Sequence, residues 1–220
     1  MLAPCAFGQR LVEFSAIIGV PLADTFDTSH YSFLGAGASQ GDSATRRYIA
    51  GAGLALRLPL GLGAEFDVLY QRLGYDLNGN SPGAVVAEHT WTTANSWQVP
   101  ILGVYRLPRV AGLKPRISAG VSFRAVSGAS TAGQCYPFAS QFGQFCSSTG
   151  PVPLPADAHL ADRSSCGAVF GAGIETRAGP IRFVPELRYT HWRADANSSG
   201  SFFDLRSNPD QIDFLVGINF

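Results

Sequence analysis

The chain has 220 residues, with 16 Lys+Arg against 16 Asp+Glu and a formal net charge of zero, so no long-range field directs it to nucleic acid or to an acidic substrate. Charged residues make up 15% and Lys114 is the single lysine, against roughly 25% charged residues in soluble domains, which argues against an evenly solvated surface. No run of about 18 apolar residues occurs, which excludes a transmembrane helix.

Residues 1–9, Met1-Leu2-Ala3-Pro4-Cys5-Ala6-Phe7-Gly8-Gln9, lack a charged n-region and a full apolar stretch. They read as the remnant of a signal peptide or an N-terminal tail, cleaved near Gln9. Pro4 directly before Cys5 argues against a lipoprotein cysteine. One domain is expected to run from 10 to 220.

Period-two alternation marks eight candidate strands, at about 10–22, 46–58, 62–76, 95–107, 115–126, 165–177, 181–193 and 211–220. Val12, Phe14, Ala16, Ile18 and Val20 share a face in the first. Tyr48, Ala50, Ala52, Leu54, Leu56 and Leu58 do so in the second, and Leu62, Ala64, Phe66, Val68 and Tyr70 in the third. The fourth shows Trp97, Val99, Ile101 and Tyr105, and the fifth Ile117, Ala119, Val121 and Phe123. Ala168, Phe170, Ala172 and Ile174 follow, then Ile181, Phe183, Leu187 and Tyr189. The last segment sets Ile212, Phe214, Val216, Ile218 and Phe220 against Gln211, Asp213, Gly217 and Asn219. None of these faces recurs at three and four residues, so strands are favoured over helices.

The connections alternate in length. Leu58-Pro59-Leu60-Gly61, Leu107 to Lys114 and Ala178-Gly179-Pro180 are tight turns. Between them lie long segments at about 23–45, 77–94, 127–164 and 194–210. A soluble domain seldom carries long structureless loops, whereas outer-membrane barrels pair short periplasmic turns with long external loops. The expected fold is therefore all-β, an eight-stranded antiparallel up-and-down transmembrane barrel.

Alternation alone does not say which face points inward, because an eight-stranded lipocalin alternates with an apolar lumen. The polar parity decides it. It carries Glu13, Glu65, Asp67, Glu175, Glu186 and Asp213 against Arg57, Arg106, Arg116, Arg124, Arg177, Arg182 and Arg188. Arginine forks suit two-pronged pairing with carboxylates, and glycines on the same parity leave room for them. These residues are expected to form lumen ion pairs. Lipid requires the opposite face to be almost free of charge, and it is. Arg72 falls there, near the outer end where its stem can snorkel. Tyr48, Tyr70, Trp97 and Tyr189 toward the long loops, with Tyr105 and Phe220 toward the turns, resemble two interfacial girdles. Pro100 and Pro185 sit within strands, where each removes a ladder hydrogen bond; bulges or local parity shifts are expected there.

Arg57, Arg106, Arg109, Lys114, Arg116, Arg177 and Arg182 cluster near the turns, and acidic residues populate the long loops. Cys135 and Cys146 are placed for a disulfide in an oxidising compartment, closing a loop worth at most about 3 kcal/mol. Neither has a Cys-x-x-Cys partner and His159 stands alone, so no metal is expected, and no cofactor. His191 with Ser164 or Ser165 and Asp162 or Asp195 could supply a Ser–His–acid set at the outer rim, but serine-rich loops make that coincidence cheap. No catalytic residue is assigned. Loop aromatics Tyr136, Phe138, Phe142 and Phe145, with Phe26, Tyr31, Phe33, Phe202 and Phe203 in other loops, are candidates for an extracellular protein contact, or for capping the barrel.

The strand and loop plan, Ser96-Trp97-Gln98-Val99-Pro100, Pro185-Glu186-Leu187-Arg188-Tyr189 and the terminal Phe220 resemble the small eight-stranded outer-membrane proteins of the OmpX-like and OmpA transmembrane-domain class. The resemblance spans about 10–220. It implies the outer membrane of a Gram-negative-type bacterium, and contact with outer-membrane lipid. It also implies recognition of the Phe220 strand by the barrel assembly machinery. The expected role is structural or surface-interaction through four external loops, without enzymatic activity and without nucleic acid. A small channel, an outer-membrane lipid-modifying enzyme and a soluble lipocalin-like binder are the alternatives.

Overall fold

Eleven strands form along the chain in the computed structural model, which describes residues 11–33, 37–81, 86–109, 113–137, 152–154, 164–179, 181–193 and 208–220. They are β1 (Val12–Pro21), β2 (Ser29–Phe33), β3 (Gly37–Ser43), β4 (Ile49–Arg57), β5 (Leu62–Ser81), β6 (Val86–Arg106), β7 (Lys114–Pro137), β8 (Val152–Leu154), β9 (Ser164–Ala178), β10 (Ile181–Trp192) and β11 (Asp210–Asn219). Residues 1–9, with the expected cleavage point, lie outside the described residues.

Eight strands make the barrel wall: β1, β4, β5, β6, β7, β9, β10 and β11. Each pairs antiparallel with its neighbours. Ile18 opposite Val216 joins β1 to β11, and Phe66 opposite Ile101 joins β5 to β6, so the sheet closes on itself. Closure satisfies the backbone of a sheet that faces lipid. Among the described residues the only helical piece is the 3-10 turn Pro59–Gly61 between β4 and β5. No helix is long and apolar enough to cross a membrane.

Burial follows the parity of the sequence. Phe14 is 66% exposed and Phe170 57%, on the outer wall, while Glu13, Asp67, Arg116 and Glu186 are buried within. A lipocalin-like apolar cavity is thereby excluded, because the charged side chains occupy the inside. Glycine makes room for them: a Cβ on Gly63 would meet the Arg106 guanidinium, and one on Gly171 would strike Glu186 and Ser118.

Two expectations need correction. The long segments are not structureless. β5, β6 and β7 have 20, 21 and 24 residues, against 10 each in β1 and β11. The excess, about ten residues, is roughly 30 Å of strand beyond the rest of the wall. The β2–β3 hairpin adds to β5 (Gly41 opposite Leu77), and β8 adds to β7 (Ala132 opposite Pro153). Much of the expected loops at 23–45 and 77–94, and residues 127–137 of the third, is therefore a sheet standing on the outer end.

The prolines, for their part, cause no parity shift. Ladder pairs are missing where Asp67 and Val68 face Pro100 and Val99, yet the register is the same on both sides of the gap. Likewise Phe183 opposite Thr176 and Glu186 opposite Gly173 share one register across Pro185. Each proline turns its absent N–H toward one neighbour and keeps its register with the other, Ser122 for Pro100 and Val216 for Pro185. The real irregularity lies between Thr93 and Asn95, opposite one extra residue in β7. Gly128 there has φ 62, a bulge conformation that glycine adopts at little cost. Val126 points inward before the bulge, and Thr131 and Gly133 point inward after it.

Candidate functional site

The lumen is built in layers, sampled by the inward face of β5: Gly63, Glu65, Asp67, Leu69, Gln71, Leu73 and Tyr75 from the turn end outward. At the turn end Glu13 accepts from Arg182 Nη1 on both oxygens, at 2.9 and 2.7 Å. Arg57 lies beside it (Nε to Oε1 2.8 Å) and reaches Glu175 at 3.6 Å, as an ion pair without hydrogen-bond alignment. Arg106 Nε donates to Glu175 at 2.5 Å.

A second cluster sits above. Arg116 grips Glu65 in the two-pronged manner, Nη1 to Oε1 2.6 Å and Nη2 to Oε2 2.7 Å, and also donates to Glu186. Ser118 donates to Glu186 at 3.0 Å and Arg188 Nε at 3.2 Å, while Arg188 Nη1 reaches Asp67 at 3.0 Å. Glu186 thus links two arginines, each of which holds a second carboxylate. A cavity of about 20 Å³ borders this cluster, between Ser15, Glu65, Asp67, Arg116 and Asn219. That is room for about one water molecule.

Two apolar clusters share the lumen with these pairs, one outward of Asp67 on β5 and one beside Glu65. Ile17, Ile49, Leu69 and Leu215 pack together, as do Leu102, Val104 and Val169. A polar set lies near them. Gln211 Oε1 accepts from Trp192 Nε1 at 2.9 Å and Gln98 Nε2 at 3.3 Å, and its own amide donates to Asp213 at 2.8 Å. Arg124 donates to Ser165 at 3.1 Å and stacks over the Trp192 ring at 4.4 Å. At the mouth Phe26, Leu73, Tyr75, Ala94 and Val126 form an apolar plug, with Phe26 edge-on to Tyr75 at 5.7 Å.

Glu13, Arg57, Glu65, Asp67, Arg106, Arg116, Glu175, Arg182, Glu186 and Arg188 are therefore brought together as ion pairs. Arg124 and Asp213 also face inward, within the Trp192–Gln211 set. Arg177 differs: it is exposed at the turn end and makes no ion pair among the described residues. The Gln98–Trp192–Gln211 hydrogen bonds and the plug residues Leu73, Tyr75, Ala94 and Val126 escaped the sequence reading, which placed Gln211 on the inner parity without a role and named Phe26 among the aromatics that could cap the barrel.

Phe220 is 64% exposed on the outer wall, its N–H bonded to the Phe14 carbonyl at 3.1 Å. Tyr136 and Cys135 lie in β7 opposite Ala87 and Glu88; their side chains, and residues Phe138, Phe142, Phe145 and Cys146, lie outside the described residues. At the rim His191 Nδ1 is 2.8 Å from Asp210, which also accepts from Tyr189 at 2.5 Å. The proposed serines are not brought to His191. Ser165 faces the lumen, and Ser164 pairs with Ala125 several residues beyond. Asp162 and Asp195 lie outside the described residues.

The sequence matches the model of one family, described as outer membrane protein beta-barrel domain, over residues 8–191. No curated protein matches it. Among solved structures the chain is similar to the N-terminal β-barrel domain of Pseudomonas aeruginosa OprF, at 11% identity and TM-score 0.41, covering 96% of this chain and 98% of that one. It is also similar to Ail, the attachment invasion locus protein of Yersinia pestis, at 13% identity and TM-score 0.39, with 96% and 98% covered. Neisserial surface protein A is a third, at 11% identity and TM-score 0.39, with 94% of each chain covered. With a closed eight-stranded wall, a charged interior and a family match over most of its length, the chain belongs to the outer-membrane β-barrel family and resides in the outer membrane of a Gram-negative bacterium.

Proposed function

We propose that this barrel is a non-enzymatic structural or surface-interaction protein that acts through its external extension rather than through its lumen. The observation that carries the reading is the contrast between the two parts. Among the described residues the lumen holds ion pairs, apolar clusters and the Phe26 plug, with room for about one water beside Glu186. Outside, β5, β6 and β7 rise well past the wall and collect β2, β3 and β8 into a broad sheet. A sheet whose strand β7 carries Tyr136 and leads into the segment that holds Phe138, Phe142 and Phe145 suits contact with an extracellular protein.

Two further partners belong to this reading. Outer-membrane lipid covers the apolar wall, and the barrel assembly machinery reads β11 with Phe220. The channel reading requires a continuous polar path, and the enzyme reading requires a nucleophile beside His191; the packed lumen and the inward Ser165 favour neither.

The test uses the refolded full chain. Planar bilayers should show no discrete conductance. Cells displaying the full chain should adhere to extracellular matrix protein, and cells displaying a barrel with the β5–β6 hairpin trimmed should not, with heat-shifted migration in SDS unchanged in both. Steady single-channel openings, or adhesion that survives trimming, would refute the proposal.

A further inference from the structure

The outward face of the wall does not end at the aromatic level. On β5 the parity of Tyr70 continues through Arg72 and Gly74 to Asp76 and Asn78, and on β6 that of Trp97 continues to Trp91 and His89. Asp76 stands six residues past Tyr70, roughly 20 Å further along the strand, where the face meets water instead of lipid. Two rows of side chains cross the extension there. One runs from Asp42 on β3 to Asp76, Trp91 and Ala132, the other from Gln40 to Asn78, His89 and Gln134.

The formal charges of this extension are of one sign. Its described residues, 29–33, 37–43, 74–81, 86–93, 129–137 and 152–154, include Asp42, Asp76 and Glu88 and no lysine or arginine, although the chain as a whole is neutral. Asp42 and Asp76 stand directly opposite each other and half-exposed, an arrangement in which like charges destabilise a sheet. Gln40 Nε2 donates to Asp42 at 3.0 Å, but neither carboxylate has a cationic partner among the described residues. Trp91 lies next to Asp76 across the β5–β6 ladder, with the His89 ring tilted against it at 5.2 Å.

We propose that this face is the docking surface for a basic segment of the extracellular partner, with an arginine or lysine side chain held between Asp42 and Asp76 and lying on Trp91. The inference deepens the surface-interaction reading and rests on it. Charge complementarity identifies the occupant. One cation removes the repulsion between the two carboxylates, a guanidinium fork meets carboxylate oxygens through parallel bonds, and an indole attracts a cation placed over its face. In the neighbouring row Asn78 and Gln134 bring amides that can donate to and accept from a peptide backbone. A phosphorylated lipid headgroup is repelled by the same acids. No group of three metal-ligating side chains occurs among the described residues, which sets a bound metal ion aside.

The experiment measures binding of a fluorescent alternating arginine–serine peptide, and of a glutamine–serine peptide of the same length, to the refolded full chain in neutral-detergent micelles, by anisotropy. The wild type should favour the arginine peptide on the order of tenfold. D42N/D76N should bind both peptides alike, and W91A should keep only part of the preference. D27N, which removes an exposed acid elsewhere at the outer end, should keep all of it, with heat-shifted migration in SDS retained in every variant. A wild type without preference, a double variant that retains it, a W91A variant that keeps it in full, or a preference lost equally in D27N overturns the proposal. The cell assay separates this site from the reading it rests on. Adhesion that is lost on trimming the β5–β6 hairpin but unaltered in D42N/D76N refutes the site alone, whereas adhesion that survives trimming refutes both.

Discussion

Replacing Glu186 with Gln tests whether the lumen is held by charge or only by shape. Glutamine keeps the volume, so no cavity opens, and its carbonyl can still accept from Ser118. What disappears is the negative charge between Arg116 and Arg188, with hydrogen bonds from both. A hydrogen bond to a charged group contributes about 1.5–3 kcal/mol, so the gross loss is roughly 3–6 kcal/mol. The desolvation cost of the carboxylate itself is recovered in the variant, and each arginine keeps another partner, Glu65 for Arg116 and Asp67 for Arg188. The net cost should therefore fall at the low end of breaking a buried pair, about 3 kcal/mol, or about two orders of magnitude in the folding equilibrium. Equilibrium urea unfolding of the chain in lipid vesicles, followed by tryptophan fluorescence, measures it. Arg116→Gln should cost more, because it leaves Glu65 with neither of its two bonds and Glu186 with one arginine fewer. A Glu186→Gln variant within about 1 kcal/mol of wild type, at unchanged slope, would refute the claim that this cluster is electrostatically tuned.

Two other substitutions probe packing. Gly171→Ala places a methyl group against Glu186 and Ser118 and should destabilise the barrel by about 1–3 kcal/mol, seen as a lower temperature for loss of the compact band in SDS. Phe26→Ala removes the ring that lies against Tyr75. It should loosen the plug by about 3 kcal/mol and hasten proteolysis of the external sheet, without creating conductance, since the ion-paired layers remain below it.

The wall was legible in the sequence because lipid on one side and charge on the other impose alternation at every step. Phe14, Ile18, Phe66, Ile101, Phe170 and Phe214 all lie where that alternation puts them. The external sheet was hidden for the complementary reason. Beyond the aromatic level the outward face meets water, so Glu88 to Ser96 of β6 shows little contrast between its two parities. In β7 the Gly128 bulge reverses the inward parity outright, and Ser127-Gly128 looks like a turn. Residue types in the lumen were readable from parity. Their partners were not, because contacts such as Arg182 with Glu13 depend on how strands far apart in the chain meet across the lumen. Arg177 shows the limit from the other side: its parity is inward, but at the strand end there is no lumen left to enter.

The two prolines have a consequence for how the wall comes apart. Each leaves a short stretch without ladder bonds, one between β5 and β6 and one between β9 and β10. These are the natural tear lines of the cylinder, with β6, β7 and β9 as the panel between them. Arg116 stands on that panel and holds Glu65 on β5 across one tear line and Glu186 on β10 across the other. One guanidinium group thus stitches both seams from inside, where the backbone cannot.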